Sequence, residues 1–257
     1  MAGFDRYNNT LKLFLSEASS WTVAELSDAL ETSPSNVYRT VRELVEAGFL
    51  ESARESRYRL GPTFLEFEHR LRETDPLVRS GGVFLRTLVE QAAHPCVAVL
   101  ARLYGRRVMC VAEAHTLDQR TSYERGKPMP IVRGATSKAI LASMTNRKRG
   151  KLLSEVFESG DGIPEKLNAE LNQIRRTGLS VTRGEVDPGM IGIAVPIKNE
   201  ELGINASLSF VVRQSESIDS RIPRLASLLT SHAALIENFM ADTQAEIREA
   251  SPLPDIA

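Results

Sequence analysis

The first sixty residues carry apolar positions at helical spacing in three short segments. The segment YNNTLKLFLSEAS places its larger apolar residues on one face, with Asn8 to Thr10 as possible caps. The segment TVAELSDAL opens on Thr22 and has Glu25 three residues later, which is the capping-box pattern. In the third segment, Ser33 stands at a cap position and Pro34 at the first helical position. We therefore expect three short helices here.

The third helix should end at Gly48, because the residue just after a helix is often left-handed and favours glycine. The stretch that follows, FLESARESRYRLG, alternates apolar and polar residues around a polar centre. This alternation predicts two short antiparallel strands joined in a hairpin.

The remainder of the chain mixes helices and strands. Residues 62–75 and 76–94 predict two helices, the first with an apolar face suited to pairing with a second copy and the second weakened at Gly81-Gly82. Further helix is expected from Ala135 to Met144, on to about Thr177, and in the closing segment SRIPRLASLLTSHAALIENFMADT. The predicted strands are CVAVLARLY, RRVMCVAEA, QRTSYE, GLSVTRGEV, GMIGIAVPIK and INASLSFVV.

A helical start followed by mixed strands and helices indicates an α+β protein with two domains, which suits a length of 257 residues. We place a first domain at 1–61, a linker helix at 62–75, a second domain at 76–251 and a disordered tail at 252–257.

The third helix has a surface that a core helix does not need. Its apolar residues form one stripe, made by Val37, Val41, Leu44 and Val45. Short polar residues and two arginines occupy the remaining surface, concentrated in the first two turns. These are Ser35, Asn36, Tyr38, Arg39 and Arg42.

This arrangement suits a helix whose first half enters the major groove of DNA. Short residues allow close approach, and the free N–H groups of a helix start attract phosphate. Arg39 and Arg42 can each hydrogen-bond a guanine edge twice, and Asn36 can bind adenine or phosphate. The hairpin arginines would follow as a wing over the backbone or minor groove. The predicted DNA-binding residues are Ser33, Ser35, Asn36, Tyr38, Arg39, Arg42, Arg54, Arg57 and Arg59.

The charge balance argues in the opposite direction. The whole chain has a net charge of −1, and residues 1–75 contain nine Lys and Arg against thirteen Asp and Glu, which gives −4. The alternative interpretation is that the arginines form a solvated face balanced by Glu43, Glu46, Glu51 and Glu55. The capping box, the Ser-Pro-Ser start, the arginine face and the basic hairpin occur in order, and this order favours DNA binding.

Composition excludes several other classes. Apolar residues make up 42% and charged residues 25%, as in an ordinary soluble protein, and no apolar run is long enough for a membrane span. The N-terminus lacks an apolar signal core, so we expect a cytoplasmic protein. Cys96 and Cys110 suit a reducing compartment and are interpreted as small buried hydrophobes in strands. No catalytic, metal-binding or cofactor-binding pattern is evident among the four histidines or the carboxylates.

Four stretches in order resemble the IclR-type bacterial transcriptional regulators. They are WTVAELSDALETSPSNVYRTVRELVEAGFLE with RYRLGPTFLEF, YERGKPMPIVRGATSKAILA, RRTGLSVTRGEVDPGMIGIAVPI, and NASLSFVV. The resemblance covers nearly the whole chain. It implies an N-terminal winged helix-turn-helix, a linker helix and a C-terminal mixed α/β, GAF-like effector-binding domain.

An effector site is expected where PIVRGATSKAILA turns from loop into helix. The free N–H groups at Gly134 to Thr136 suit a carboxylate or another small anion. The resemblance implies that Ala135 and Thr136 line the effector cavity, and it adds further wall residues on the later strands. Those wall residues are Thr182, Met190, Gly192, Ser209 and Val211.

The wall departs from the usual pattern of these regulators. Many have an acidic residue where Thr182 stands, a cysteine where Gly192 stands and a small polar residue where Val211 stands. We expect a roomier, less polar cavity and an effector that is a larger organic acid or an aromatic compound. Arg133 beside the loop is either a clamp for a carboxylate or a solvated surface residue.

The sequence thus predicts a ligand-responsive transcriptional regulator that is not an enzyme and needs no cofactor, metal or membrane. We expect a homodimer or a dimer of dimers that reads pseudo-palindromic double-stranded operator DNA. Repression and activation both stay open. The alternatives are an enzyme with a helical accessory domain, and a small-molecule sensor or scaffold whose winged helix binds protein rather than DNA.

Overall fold

The computed structural model describes residues 3–116, 121–157 and 163–250, with side chains described to residue 243. The chain divides into two compact units, Met1–Thr74 and Asp75–Ala257. The predicted tail at 252–257 lies outside the described residues, as do residues 119 and 120 of one predicted strand. The predicted α+β class is confirmed, because helices open the chain and a mixed unit follows.

The first unit is a small helical bundle closed by a short sheet. Its helices are α1 (Gly3–Leu13), α2 (Val23–Ala29), α3 (Pro34–Glu46) and α4 (Thr63–Thr74), and its strands are β1 (Trp21–Thr22), β2 (Leu50–Ser52) and β3 (Arg57–Leu60). The strands lie in the order β1-β3-β2 with antiparallel pairing. The hairpin is therefore confirmed, and β1 is a third strand that the sequence did not predict.

Local signals fix α2 and the end of α3. Thr22 accepts a hydrogen bond from the Glu25 amide at 3.2 Å and donates its own amide to the Glu25 carboxylate at 2.8 Å, so the capping box is confirmed. Gly48 follows α3 with φ of 74°. The amides of Gly48 and Phe49 donate to Val45 and Leu44, which closes the helix as a Schellman motif.

The prediction for the first helix was wrong about where it begins. The helix begins at Gly3, so Asn8 to Thr10 lie inside it and do not cap it. Thr10 is buried, and its hydroxyl donates to the carbonyl of Arg6 one turn earlier at 2.8 Å. Beyond the helix Phe14 packs into the core while Leu15 stays 74% exposed. The apolar spacing predicted the correct type of element. The first turn, Gly3 to Arg6, carries no helix-cap pattern that would mark where the helix begins.

Helix α4 packs onto the winged unit through aromatic rings. The ring of Phe49 lies 5.6 Å from that of Phe64 and 6.1 Å from that of Phe67, measured between centroids. Gly61 allows the close join before α4, because a Cβ there would lie 2.2 Å from the carbonyl oxygen of Gly48. The linker helix is thus part of the first unit rather than a free connector.

The second unit is a six-stranded antiparallel sheet covered by helices. Its helices are α5 (Pro76–Ala92), α6 (Ala135–Ser143), α7 (Asn146–Val156), α8 (Glu165–Thr177) and α9 (Ile222–Ala250), and its strands are β4 (Cys96–Tyr104), β5 (Arg107–His115), β6 (Pro128–Met129), β7 (Ser180–Arg183), β8 (Met190–Asn199) and β9 (Ile204–Arg213). The strand order is β6-β5-β4-β9-β8-β7.

Alternation along the strands separates two apolar layers. One face of β4, β8 and β9 packs against α5 and α9 in the largest core cluster, which contains Leu100, Ile193 and Phe210. The opposite face of this sheet packs against α6. It contains a second cluster around Val99, Ile140 and other residues of the α6 side.

The segment before β6 and the two cysteines differ in how far the sequence described them. The strand predicted over QRTSYE is wrong for residues 121–124, which form an irregular segment before β6. Cys96 and Cys110 are buried in β4 and β5 as predicted, and burial raises the pKa of each thiol to about 12. These thiols are therefore protonated and shielded.

Candidate nucleic-acid interface and effector site

Helix α3 keeps its apolar stripe inside and presents a polar face to solvent. Val37, Val41 and Leu44 are at most 4% exposed, and Val45 is partly buried. The predicted contact residues of this helix are all exposed, namely Ser33, Ser35, Asn36, Tyr38, Arg39 and Arg42. Ser33 occupies the N-cap position without a side-chain cap bond, and its hydroxyl lies 3.3 Å from that of Ser35. The helix start is thus open to an outside acceptor or donor.

The two arginines of α3 differ in their surroundings. The guanidinium of Arg39 makes a 3.5 Å contact to the side-chain oxygen of Asn36 and no ion pair with a described residue. Arg42 pairs with Glu46 at 2.8 Å on the exposed face, and that contact raises the pKa of Arg42. A surface pair of this kind contributes little to stability. A phosphate or base can therefore replace it at small cost.

The three wing arginines also differ. Arg57 donates to Ser20 and reaches Glu25 at 2.9 Å, so it ties β3 to the start of α2. Arg59 pairs with Glu51 across the hairpin. Arg54 is exposed at the wing tip and has no ion pair within the described part of the chain. The structure thus leaves Arg39 and Arg54 exposed without an ion pair among the described residues, and it uses Arg57 to hold β3 against α2.

Two residues of α1 near α3 were missed in the sequence. Arg6 and Asn9 border a groove of about 250 Å³ together with Asn36 and Arg39. Arg6 also pairs with Glu43 at 2.7 Å, which removes one carboxylate of α3 from the charge facing solvent. Only the fold brings α1 beside α3, so the spacing of residues along the chain gave no signal.

The second candidate site lies at the start of α6. Gly134 precedes the helix with φ of 84°, a conformation that glycine adopts without strain. A Cβ at Gly134 would lie 2.8 Å from the side chain of Val186. The loop therefore turns tightly against the segment that follows β7.

The structure gathers the predicted effector residues around this helix start. The hydroxyls of Thr136 and Ser209 are 3.0 Å apart and buried. Met190 and Val211 belong to the apolar cluster on the α6 side of the sheet, beside Tyr123. Ala135 is fully buried, Thr182 is 9% exposed, and both approach Gly192.

Gly192 adds little to the roomier cavity that the sequence predicts, because its surroundings are close. A Cβ at Gly192 would lie 3.1 Å from the Cβ of Ala135 and 3.3 Å from the hydroxyl of Thr182. The absent side chain lets α6 pack closely on β8, so helix–sheet packing uses the space. A side chain at this position would require Ala135 or Thr182 to shift by a few tenths of an ångström.

Two charged residues at this site were missed in the sequence. The amide of Gly134 donates to one carboxylate oxygen of Glu185 at 2.8 Å, and Lys138 donates to the other at 2.7 Å. Lys138 also pairs with Glu170 at 2.7 Å. The exposed Arg133 donates to the backbone carbonyl of Glu185, so its guanidinium turns toward this segment.

These contacts shift both titrations. Burial alone raises the pKa of Glu185, but hydrogen bonds from Lys138 and Gly134 outweigh it and leave that pKa below its usual value. Burial alone lowers the pKa of Lys138, but its bonds to Glu170 and Glu185 outweigh this and leave it raised. Both groups are charged at neutral pH.

A larger concave region lies elsewhere in the second unit. It measures about 1020 Å³ and is bordered by α5 and the end of β5, including Leu85, Glu113 and His115. None of the predicted effector residues borders it. The α6 site has convergent polar groups and a helix start, and for this reason we regard it as the stronger candidate.

The family model described as "Bacterial transcriptional regulator IclR C-terminal" matches residues 74–238, and a "Helix-turn-helix domain" model matches residues 11–53. The chain belongs to the IclR family. It is a DNA-binding transcriptional regulator and not an enzyme.

Relatives within the IclR family cover most of the chain. The HTH-type transcriptional regulator BhcR of Paracoccus denitrificans is 28% identical over 200 residues, which are 75% of this chain and 71% of that one. An IclR transcriptional regulator structure from Alicyclobacillus acidocaldarius has a TM-score of 0.77 at 21% identity and covers 93% of this chain and 99% of that one. An IclR homolog from Microbacterium hydrocarbonoxydans complexed with 4-hydroxybenzoate has a TM-score of 0.76 at 20% identity, with the same coverage. These structures share the predicted fold.

Over residues 3–116, 121–157 and 163–250, no helix combines the length and apolar content of a membrane span. Within the same ranges no cluster of three or more His, Cys, Asp or Glu side chains is placed to hold a metal ion.

Proposed function

We propose that this IclR-family regulator reads operator DNA with the exposed face of α3 and binds a small organic acid or an aromatic compound near the start of α6. The observation that carries the DNA-binding half is the division of α3 into a buried apolar stripe and an exposed polar face. The first turns of that face hold short side chains with Arg39 and Arg42 beyond them. This is the arrangement that major-groove readout needs.

The wing has a supporting part in this proposal. Arg54 and Arg59 are exposed and would approach the DNA backbone or minor groove. Arg57 is held by Ser20 and Glu25, so we assign it the role of fixing the hairpin against α2. The polar residues Ser33, Ser35, Asn36 and Tyr38 would contact bases or phosphates beside the arginines.

The proposed effector site is supported by the groups that lie together at the start of α6. Backbone amides, Thr136, Ser209 and an apolar cluster with Tyr123 lie together at the α6 start. Such a mixture suits a ligand with an apolar body and one polar or acidic end. The IclR homolog complexed with 4-hydroxybenzoate supports an aromatic acid as one candidate for the effector. A thermal-shift screen of organic acids and aromatic compounds would identify the effector.

The proposal includes a dimer. The outer face of α4 exposes Leu65, Phe67 and Leu71 by 54–73%, and a second copy would cover it. Two copies of α3 related by a twofold axis would then read a pseudo-palindromic site. Effector binding would favour one arrangement of the two readers over another.

The DNA-binding half is tested by replacing Arg39 and Arg42 together with alanine. An operator is first selected from a random duplex pool with the wild-type protein, and binding is then measured by gel shift across salt concentrations. We expect the double variant to lose affinity on the order of a hundredfold and to relax its sequence preference. Each replacement removes a pair of hydrogen bonds to a base edge. The slope of affinity against salt should also become shallower if either arginine touches phosphate.

The matched control is the double replacement of Arg70 and Arg72 with alanine. These exposed residues of α4 carry the same charge and pair only with Glu73 and Glu68 among described residues, so the variant removes equal charge from the same unit. It should bind the selected operator with unchanged sequence preference, and sedimentation should show the same oligomeric state as the wild type, since both residues lie on α4. Undiminished and equally selective binding by the Arg39 and Arg42 variant would overturn the placement of α3 on DNA.

A further inference from the structure

The position for an anion at the start of α6 is filled by a residue of the chain itself. One carboxylate oxygen of Glu185 accepts from the Gly134 amide at 2.8 Å, and the other accepts from Lys138 at 2.7 Å. The residue thus offers to the helix start what a ligand carboxylate would offer.

We propose that Glu185 is a specificity-determining residue that an effector must displace, and that it admits effectors that carry a carboxylate in preference to neutral analogues. The inference rests on the proposed effector site at α6. It adds the requirement that the incoming group replace the charge of Glu185 as well as its volume.

The reason lies in the burial of Lys138. Its side chain is only 7% exposed, and its described carboxylate partners are Glu170 and Glu185. Removing one partner from a buried charge is strongly unfavourable. A neutral ligand that displaced Glu185 would leave Lys138 with Glu170 alone and the Gly134 amide without an acceptor. A carboxylate would restore both contacts.

There is room for the displaced side chain. A pocket of about 320 Å³ adjoins Glu185 and is bordered by Lys138, Glu170, Ser180 and Thr182. Ser180 is fully buried there, and its hydroxyl has no hydrogen-bond partner among the described residues. Buried hydroxyls are normally paired.

The test uses acetate as the smallest carboxylate probe and a Glu185→Ala variant of the full chain. Thermal unfolding is followed while sodium acetate is exchanged for sodium chloride at constant ionic strength. We expect a saturable rise in the midpoint of about 2–4 °C for the variant, because acetate enters the vacated position and binds only the folded state. The wild-type midpoint should not rise saturably, since Glu185 already holds that position. Acetamide should have no effect on either protein.

Two further variants keep the result interpretable. Glu185→Gln preserves the shape of the side chain and should also respond to acetate but not to acetamide, so it serves if Glu185→Ala does not fold. Glu216→Ala removes a carboxylate from an exposed position of the same unit and should behave as the wild type.

An equal response of wild type and Glu185 variants to acetate, a response to acetamide as large as to acetate, or no response in a folded variant would each overturn the inference. The operator-binding measurement is separate. A protein that fails to bind DNA while its Glu185 variants respond to acetate would refute the proposed function and leave the inference standing.

Discussion

Arginine residues that look alike along the chain have different tasks in the fold. Arg54 and Arg57 lie three positions apart in the hairpin, yet Arg54 is exposed at the tip while Arg57 is bound to Ser20 and Glu25. Both of its partners precede it by more than thirty residues. The alternating pattern predicted the hairpin, and its Arg54 and Arg59 are exposed. The pattern carried no information on which guanidinium group the fold would use.

The ion pair of Glu185 predicts how stability depends on pH. Its carboxyl binds a proton more weakly in the folded protein than in the unfolded chain, because its pKa is lowered from the usual 4.5. Its contribution is therefore fully present above about pH 4.5 and is lost as the pH falls through the lowered pKa. Glu185→Gln lacks that contribution. We expect the difference in the free energy of unfolding between wild type and Glu185→Gln to be constant near neutrality and to shrink at acid pH.

Urea unfolding of both proteins from neutral pH to about pH 3 measures this difference, because the loss lies between the usual pKa and the lowered one. Lys138 does not confuse the result, because its raised pKa places its own loss of stability on the alkaline side. The Glu216→Ala control should show no comparable pH-dependent difference from wild type, since its carboxylate is exposed. A Glu185 difference that grows on acidification would contradict the assignment.

At the scale of elements, two adjacent glycines in α5 have opposite surroundings. A Cβ on Gly81 would lie 2.6 Å from the Cβ of Ala112 on β5, whereas a Cβ on Gly82 would meet nothing within 4 Å. The sequence indicated that this pair weakens the helix. The structure shows that Gly81 permits close packing of α5 on the sheet, whereas Gly82 faces open space.

These surroundings predict opposite effects of the same substitution. Gly81→Ala should lower the free energy of unfolding by about 1–3 kcal/mol, because the sheet or the helix must shift to admit the methyl group. Gly82→Ala should raise it by about 0.5–1 kcal/mol, because alanine favours the helix and faces open space. Denaturant unfolding of the two variants provides the comparison, and each is the control for the other. Equal effects of the same sign would refute the packing argument.

The boundaries of elements were predicted well where a local signal exists. The capping box at Thr22 and Glu25, Pro34 at the start of α3 and Gly48 after its end all act through neighbours in sequence. Helix α1 has no such signal at its start, and its beginning was misplaced. Strand β1 was missed because its partner β3 lies more than thirty residues later, and two residues give no periodicity.

At the scale of the molecule, the apolar face of α4 predicts assembly. Leu65 is 73% exposed and Leu71 is 54% exposed, while Phe67 also contacts Phe49 within the unit. Replacing Leu65 and Leu71 together with glutamate should dissociate a dimer that buries this face. The introduced charges remove the hydrophobic driving force for association. Sedimentation velocity should then show a monomer. The helical content of the variant should equal that of the wild type.

The control for this prediction is Val83→Glu, which places the same charge on another exposed apolar position, in α5. It should leave the oligomeric state unchanged. If the α4 variant sediments with the wild type, the dimer contact lies elsewhere, and the spacing of the two DNA-reading helices must be set by another element.

Net charge acts at the same scale. The sum of −4 over residues 1–75 counted against DNA binding, but it ignores position. In the fold, Glu25 and Glu43 are paired with Arg57 and Arg6. Arg39 and Arg54 keep their charge available at the surface. The local arrangement of a few charges, and not their total, is what the DNA phosphates would meet.

The sequence by itself determined the type and order of most elements and the polar face of α3. It could do so because helix caps, apolar periodicity and turn glycines act between residues close along the chain. Only the tertiary structure decided that Glu185 reaches the start of α6, that Ala135 packs closely against Gly192 and that Arg57 is bound to Ser20 before α2. Each of these contacts joins residues more than thirty positions apart, and side chains so distant meet only when the packed core fixes their backbones in place.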